Sequence, residues 1–147
     1  MKFPIYLDYN ATAPTDPRVV EAMIPYFTQT YGNAASRNHQ FGWEAEQAVE
    51  KARDLLGETI GGGGREIVLT SGATESNNLA ILGVADFYKE KGRHIITSPI
   101  EHKAVIDPCQ ALEQRGYDVT FLDVDDDGCI SLEQLEKSIR PDTILVS

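Results

Sequence analysis

Residues 66–78 read EIVLTSGATESNN. The stretch passes from an unbroken apolar run, Ile67-Val68-Leu69, through small residues into a helical period, which is how a strand turns into a helix. Ser71-Gly72-Ala73-Thr74 stands at the turn. Small side chains there let a ligand approach the peptide N–H groups of a helix start, where unpaired donors and the positive end of the helix dipole favour an anion. Two readings stay open at this point. One is a backbone cradle for a phosphate, with the Thr74 hydroxyl as an added donor; the other is an ordinary strand-to-helix turn with Thr74 as its N-cap.

Downstream the same alternation repeats. Strands at 94–98, 118–122 and 143–147 are separated by helical patterns over about 103–115 and 131–139, and the helix opened by the first turn runs from about Thr74 to Lys91. Ser131 and Gln134 have the spacing of a capping box. Strands alternating with helical segments of about ten to fifteen residues predict right-handed crossovers and an α/β fold with a mostly parallel sheet. The strand at 66–70 is the first of this series.

Upstream, Asp16-Pro17 is a helix start, an N-cap acceptor followed by Pro at the first helical position. Val19, Val20, Met23, Ile24 and Phe27 follow at helical spacing, with an end near Gly32. A second amphipathic stretch covers about Ser36 to Ile60, with Phe41, Ala45, Ala48, Ala52, Leu55 and Leu56 on one face. The glycine run at 61–64 follows a helix and precedes a strand, the reverse of a P-loop, and reads as a C-cap and connector.

Composition narrows the function classes. With 41% hydrophobic and 24% charged residues in 147, the chain has the make-up of a soluble domain, and no apolar run approaches the roughly 20 residues that cross a bilayer. A formal net charge of -10, with thirteen Lys and Arg scattered, argues against nucleic-acid binding and leaves no membrane role in view. The N-terminus shows no apolar export segment, so the cytoplasm is the expected compartment. Cys109 and Cys129 show no zinc spacing and read as free thiols.

Three further features invite chemistry. Ser98-Pro-Ile-Glu-His102-Lys-Ala104 follows the second strand, placing His102 at the sheet edge that holds the 71–74 turn; an imidazole there can move a proton or stack on a flat ligand. A satisfied loop histidine is the plainer reading of the same residue. Lys103 beside it could attack a carbonyl, but lone lysines are usually solvated. Asp123-Val-Asp125-Asp-Asp127-Gly128-Cys-Ile130 fits the start of a calcium loop, yet Gln134 stands where the bidentate Glu belongs and a strand precedes it; no metal is expected.

Four strings in series carry a resemblance over the whole chain: Tyr6-Leu-Asp8-Tyr-Asn10-Ala-Thr12-Ala-Pro14, Gly32-Asn-Ala-Ala-Ser36-Arg-Asn-His39-Gln-Phe-Gly42, Leu69-Thr-Ser-Gly-Ala-Thr-Glu-Ser-Asn-Asn78 and Glu101-His-Lys-Ala-Val105. Together they resemble the cysteine desulfurases of the NifS and IscS type, in the class V aminotransferase group of pyridoxal 5′-phosphate enzymes. Ala34 departs from the family's usual Gly-Asn-Pro.

The resemblance implies the front part of a fold type I large domain with an incomplete sheet, an N-terminal arm over 1–15 and a partial cofactor-binding domain over 16–147. It implies pyridoxal 5′-phosphate as cofactor, its phosphate held at Ala73 and Thr74 and His102 as the catalytic residue over the ring. Asn10, Ala11, Thr12 and Asn33 match segments on the substrate side. The implied reaction takes sulfur from L-cysteine, leaves L-alanine and an enzyme persulfide, and hands the sulfur to an iron-sulfur scaffold or to tRNA thiolation, in a homodimer.

The family's Schiff-base lysine, its aspartate against the pyridine nitrogen, its carboxylate-binding arginine and its persulfide cysteine match no position among these residues. The chain also stops inside an apolar strand, so the expectation is the front portion of a longer enzyme, inactive by itself. In the family's sheet the strands run three-two-four-five-six-seven-one, which separates the strand carrying Leu69 from the one carrying Ile96. A selenocysteine lyase-type relative shares much of this pattern and stays open. So does a small phosphate- or nucleotide-binding α/β module, although it accounts for the helix-start loop alone and lacks a Gly-x-Gly-x-x-Gly after a strand.

Overall fold

The computed structural model describes residues 4–147, which divide along the chain into two compact units, one ending at Val68 and the other spanning Leu69–Ser147. In the first unit, helix α1 spans Pro17–Thr28 and α2 spans Gln40–Thr59. Asp16 caps α1 by accepting from the Arg18 N–H at 2.8 Å, and Pro17 costs no hydrogen bond because the first-turn N–H groups lack helical partners. The second helix starts later than its apolar pattern suggests, because the His39 side chain is its N-cap, accepting from Gly42 N–H at 3.2 Å. The glycine run does terminate it: Gly61 takes a left-handed φ of 77°, and Gly62 N–H reaches back to the Gly57 carbonyl. Of the expected apolar face of α2 only Ala45 is buried, while Phe41, Leu55 and Leu56 stay exposed. Every residue of α1 is at least partly exposed, so the helical period is right and its apolar stripe is uncovered.

The second unit is a three-stranded parallel sheet crossed by helices. Helix α3 is Ala73–Tyr88, strand β1 His94–Thr97, helix α4 Lys103–Glu113, strand β2 Asp118–Phe121, helix α5 Leu132–Ser138 and strand β3 Thr143–Val146. The order is β2-β1-β3, the three-two-four arrangement that the resemblance implied. Register runs His94 to Asp118 and Ile96 to Thr120 on one side, and Ile95 to Leu145 and Ile96 to Val146 on the other. All four residues of the central strand are buried, which is why its sequence carries no polar-apolar alternation.

Ile95 of β1, Ile81 and Ala85 of α3, and Val105, Cys109 and Leu112 of α4 form the core, with Tyr117, Val119, Ile144 and Leu145 packed around it. Each fully buried aliphatic side chain there contributes about 1.5–3 kcal/mol by leaving water. The Tyr117 hydroxyl donates to the Ala85 carbonyl at 2.7 Å, fastening the last turn of α3 to the entry of β2.

The expected strand over 66–70 is not formed. Gly64–Glu66 makes a single 3₁₀ turn, and the residues from Ile67 to Thr70 have no ladder partner among the described residues. A strand exists only through pairing, and the implied sheet order gives this segment a neighbour outside strands two, three and four. Val68 and Leu69 accordingly remain exposed.

Candidate functional site

The carboxyl ends of the strands open on a cavity of about 580 Å³ whose lining includes Thr97, Ser98, Glu101, Leu122, Cys129 and Val146. That edge is where open α/β sheets hold their ligands. His102 and the start of α3 belong to the same unit.

Helix α3 begins at Ala73 with Gly72 as its N-cap, not at Thr74. A glycine cap has no side chain, so no acceptor reaches back over the first turn, and the peptide N–H groups there keep the partial positive charge of the helix end. A Cβ on Gly72 would meet nothing within 4 Å, so the approach to these donors is open.

The loop before the helix is held from the helix side. The Ser71 N–H and hydroxyl both donate to the Glu75 carboxylate at 2.7 Å, and this pair, the hydroxyl bond first, holds the Glu75 carboxyl below its ordinary value. The Thr70 hydroxyl donates to the Gly72 carbonyl at 3.1 Å, which leaves the Ser76 hydroxyl as donor in their 2.6 Å contact. Glu75 thus spends its charge on Ser71, and Ala73 and Thr74 are left as the donor set for an outside anion.

His102 is the N-cap of α4. Its Nδ1 accepts from Ala104 N–H at 3.0 Å, which puts the proton of the neutral ring on Nε2 and fixes the ring's angle to the helix. Lys103, the first residue of α4, is exposed. Asn78, part of the opening string but given no role from sequence, links the two helix starts: its amide nitrogen donates to the Thr74 carbonyl at 2.9 Å and, more weakly, to the Ala104 carbonyl at 3.4 Å. The four-residue spacing from Thr74 to Asn78 was the signal for the first bond; nothing local announces the second.

The candidate substrate-side residues lie in the other unit. Asn10, Ala11 and Thr12 form an exposed turn in which Ala11 and Thr12 N–H groups donate to the Asp8 carbonyl. Asn33 turns its side-chain oxygen to Ala35 N–H at 2.9 Å and borders a small cavity with Tyr31, His39 and Phe41.

The acidic stretch after β2 is a short hairpin, with Val124 paired to Ile130 and Gly128 at φ 78°. Asp125 spends one carboxylate oxygen on the N–H groups of Asp127 and Cys129. Gln134, at the failed ligand position, accepts from the Asp123 N–H and donates to its carboxylate. Cys109 is buried and Cys129 exposed, both free.

Comparison with known proteins agrees with this geometry. The cysteine desulfurase IscS of Anaeromyxobacter sp. (strain K) is 58% identical over 147 residues, all of this chain and 36% of that protein. A solved NifS-like protein superimposes with a TM-score of 0.91 at 43% identity, over 97% of this chain and 39% of that one. SspA, solved in complex with cysteine, gives 0.87 at 42% identity, over 96% of this chain and 40% of its own. The chain therefore spans little more than a third of the length of the relatives it matches. The aminotransferase class-V profile matches residues 5–147, nearly end to end and through the Gly72 turn and His102, and the chain belongs to that family.

Proposed function

We propose that this chain supplies the phosphate-holding and ring-binding part of a pyridoxal 5′-phosphate-dependent cysteine desulfurase. The observation that carries the reading is the start of α3, free of any side-chain cap, in the same unit as a histidine-capped α4. The names of the relatives and the cysteine complex of SspA support L-cysteine as substrate. The resemblance supports a homodimer that yields L-alanine and passes sulfur to an acceptor such as an iron-sulfur scaffold, and the cytoplasm is the compartment proposed for it.

The residues fit the cofactor by the chemistry of their donors. A dianionic phosphate needs several N–H and O–H donors with no competing acceptor. Ala73 and Thr74 offer first-turn N–H groups without a side-chain cap, and Thr74 adds a hydroxyl. A flat aromatic ring needs a planar partner of fixed tilt, and His102 is one because its Nδ1 is tied to Ala104. When bound, the cofactor supplies an electron sink for bond changes at the substrate α-carbon.

The chain's own residues then divide the work. Ala73 and Thr74 bind the phosphate and so place the ring; Glu75 and Ser76 hold the loop in the shape that exposes them. His102 stacks and keeps a movable proton at Nε2. Asn10, Ala11, Thr12 and Asn33 serve the substrate side. Lys103 takes no covalent part.

The test is titration of the 147-residue chain with pyridoxal 5′-phosphate, followed by amide NMR and by competition with inorganic phosphate. Shifts at Ala73 and Thr74 that phosphate competes away, and a ring-current shift at His102, are expected. Binding that leaves these three residues unmoved would refute the reading. Sulfide release from L-cysteine by this chain alone is expected to be absent.

A further inference from the structure

Asn78 sits one turn into α3, half-buried where α3 packs against α4. It is the residue whose side chain reaches both helix starts. Its carboxamide nitrogen has two hydrogens, and the two acceptors are the Thr74 carbonyl at 2.9 Å and the Ala104 carbonyl at 3.4 Å. Each acceptor belongs to the residue adjoining a proposed function. Thr74 is itself half of the anion donor set, and Ala104 provides the N–H that fixes the His102 ring.

We infer that Asn78 is the positioning residue of this site: its amide clamps the first turn of α3 to the first turn of α4 and so sets where His102 stands relative to the phosphate donors. This rests on the proposed cofactor reading of Ala73, Thr74 and His102. The clamp acts on backbone carbonyls, so it holds the two helix ends whatever their exposed side chains do. A phosphate and an aromatic ring belonging to one rigid ligand can be gripped together only if the two grips are a fixed distance apart; without the clamp each grip works but the pair does not. Both bonds come from an uncharged amide, so their hold does not depend on the charge state of any group.

Two variants separate the clamp from ordinary helix stability. In Asn78→Ser the shorter side chain can still bond the Thr74 carbonyl within α3, but it cannot span to α4. In Asn78→Asp the shape is kept and both donors are lost. The probes are inorganic phosphate, which uses only the donors of α3, and pyridoxal 5′-phosphate, which uses both helices. Amide and imidazole NMR on the 147-residue chain reports each grip separately.

In the parent chain both probes are expected to shift Ala73 and Thr74, and only pyridoxal 5′-phosphate to give a ring-current shift at His102. In Asn78→Ser the affinity for inorganic phosphate stays within about twofold, while that for pyridoxal 5′-phosphate falls about fivefold, the size of one hydrogen bond, and the His102 shift shrinks. Asn78→Asp loses at least as much. Equal losses for both probes in Asn78→Ser, or a His102 shift unchanged in that variant, would overturn the clamp. A parent chain in which neither probe moves Ala73 and Thr74 would overturn the cofactor reading instead, so the two failures are distinct. Should Asn78→Asp fail to fold, Asn78→Ser alone decides.

Discussion

His94 Nδ1 lies 2.7 Å from Thr143 Oγ1, and the other ring nitrogen lies 2.9 Å from Thr120 Oγ1, so one fully buried imidazole ties the central strand to both its neighbours. The tie stands at the amino end of the sheet, away from the candidate site. Arg140 closes the same end, pairing with Asp142 at 3.0 Å and with Asp118. Burial, and then the Arg140 charge, hold the His94 pKa below its ordinary value, against the opposing pull of Asp118 and Asp142.

The sign of the pH effect follows. An unfolded His binds a proton near pH 6.5 while folded His94 resists it, so the unfolded state binds more protons as the pH falls through that value. The contribution of His94 is therefore fully present above about pH 6.5 and is lost progressively below it, down toward the depressed folded pKa. Urea midpoints should drop between pH 7.5 and pH 5.5 in the parent chain and drop much less in His94→Gln. Parallel pH profiles for the two would contradict this role.

Gly72 offers a second test, because capping a helix and binding an anion there are competing uses of the same N–H groups. Gly72→Asp adds the missing cap acceptor where there is open space for it. The expected result is a chain more stable by a few tenths of a kcal/mol, since Gly is itself a tolerated cap, yet with phosphate affinity reduced at least tenfold by the added charge. Calorimetry and phosphate titration read the two effects separately; unchanged phosphate binding would mean the anion does not use this helix start.

Core and surface substitutions should divide as the packing does. Ile95→Ala removes a fully buried side chain between α3 and α4 and is expected to cost about 2–5 kcal/mol in urea unfolding. Phe27→Ala, on a helix with no buried residue, should change the same measurement by less than about 0.5 kcal/mol despite removing more carbon. A large loss at Phe27 would show that the apolar stripe of α1 is covered in solution, for instance by a second copy.

The contrast between strand β1 and helix α1 shows what the sequence could convey. Periodicity identified α1, α2 and the alternating series, because a helix or a buried strand writes its own pattern. It could not tell whether a stripe is covered, since covering depends on residues far along the chain or outside it. The same holds at the site. Thr74 and His102 were legible as residues at helix starts, and the structure puts them in the first turn of α3 and at the N-cap of α4. The actual cap, Gly72, was missed in favour of Thr74 because a glycine gives no positive signal. The Asn78 to Ala104 bond spans 26 residues and leaves no local trace.

The segment 66–70 gives the last prediction, since there local pattern and pairing disagree. Ile67-Val68-Leu69 has the composition of a buried strand, but the described residues offer it no ladder, and an unpaired strand keeps its N–H groups in water. Ile95 and Ile96, by contrast, lie in a strand paired on both sides. Amide exchange in the 147-residue chain should therefore be fast at Val68 and Leu69 and slow at Ile95 and Ile96, by at least a hundredfold. A peptide or protein that supplied a parallel neighbour would slow the first pair selectively, leaving the second unchanged. Slow exchange at Val68 in the isolated chain would show that this strand has found a partner within it or in a second copy, in a pairing different from the β2-β1-β3 sheet.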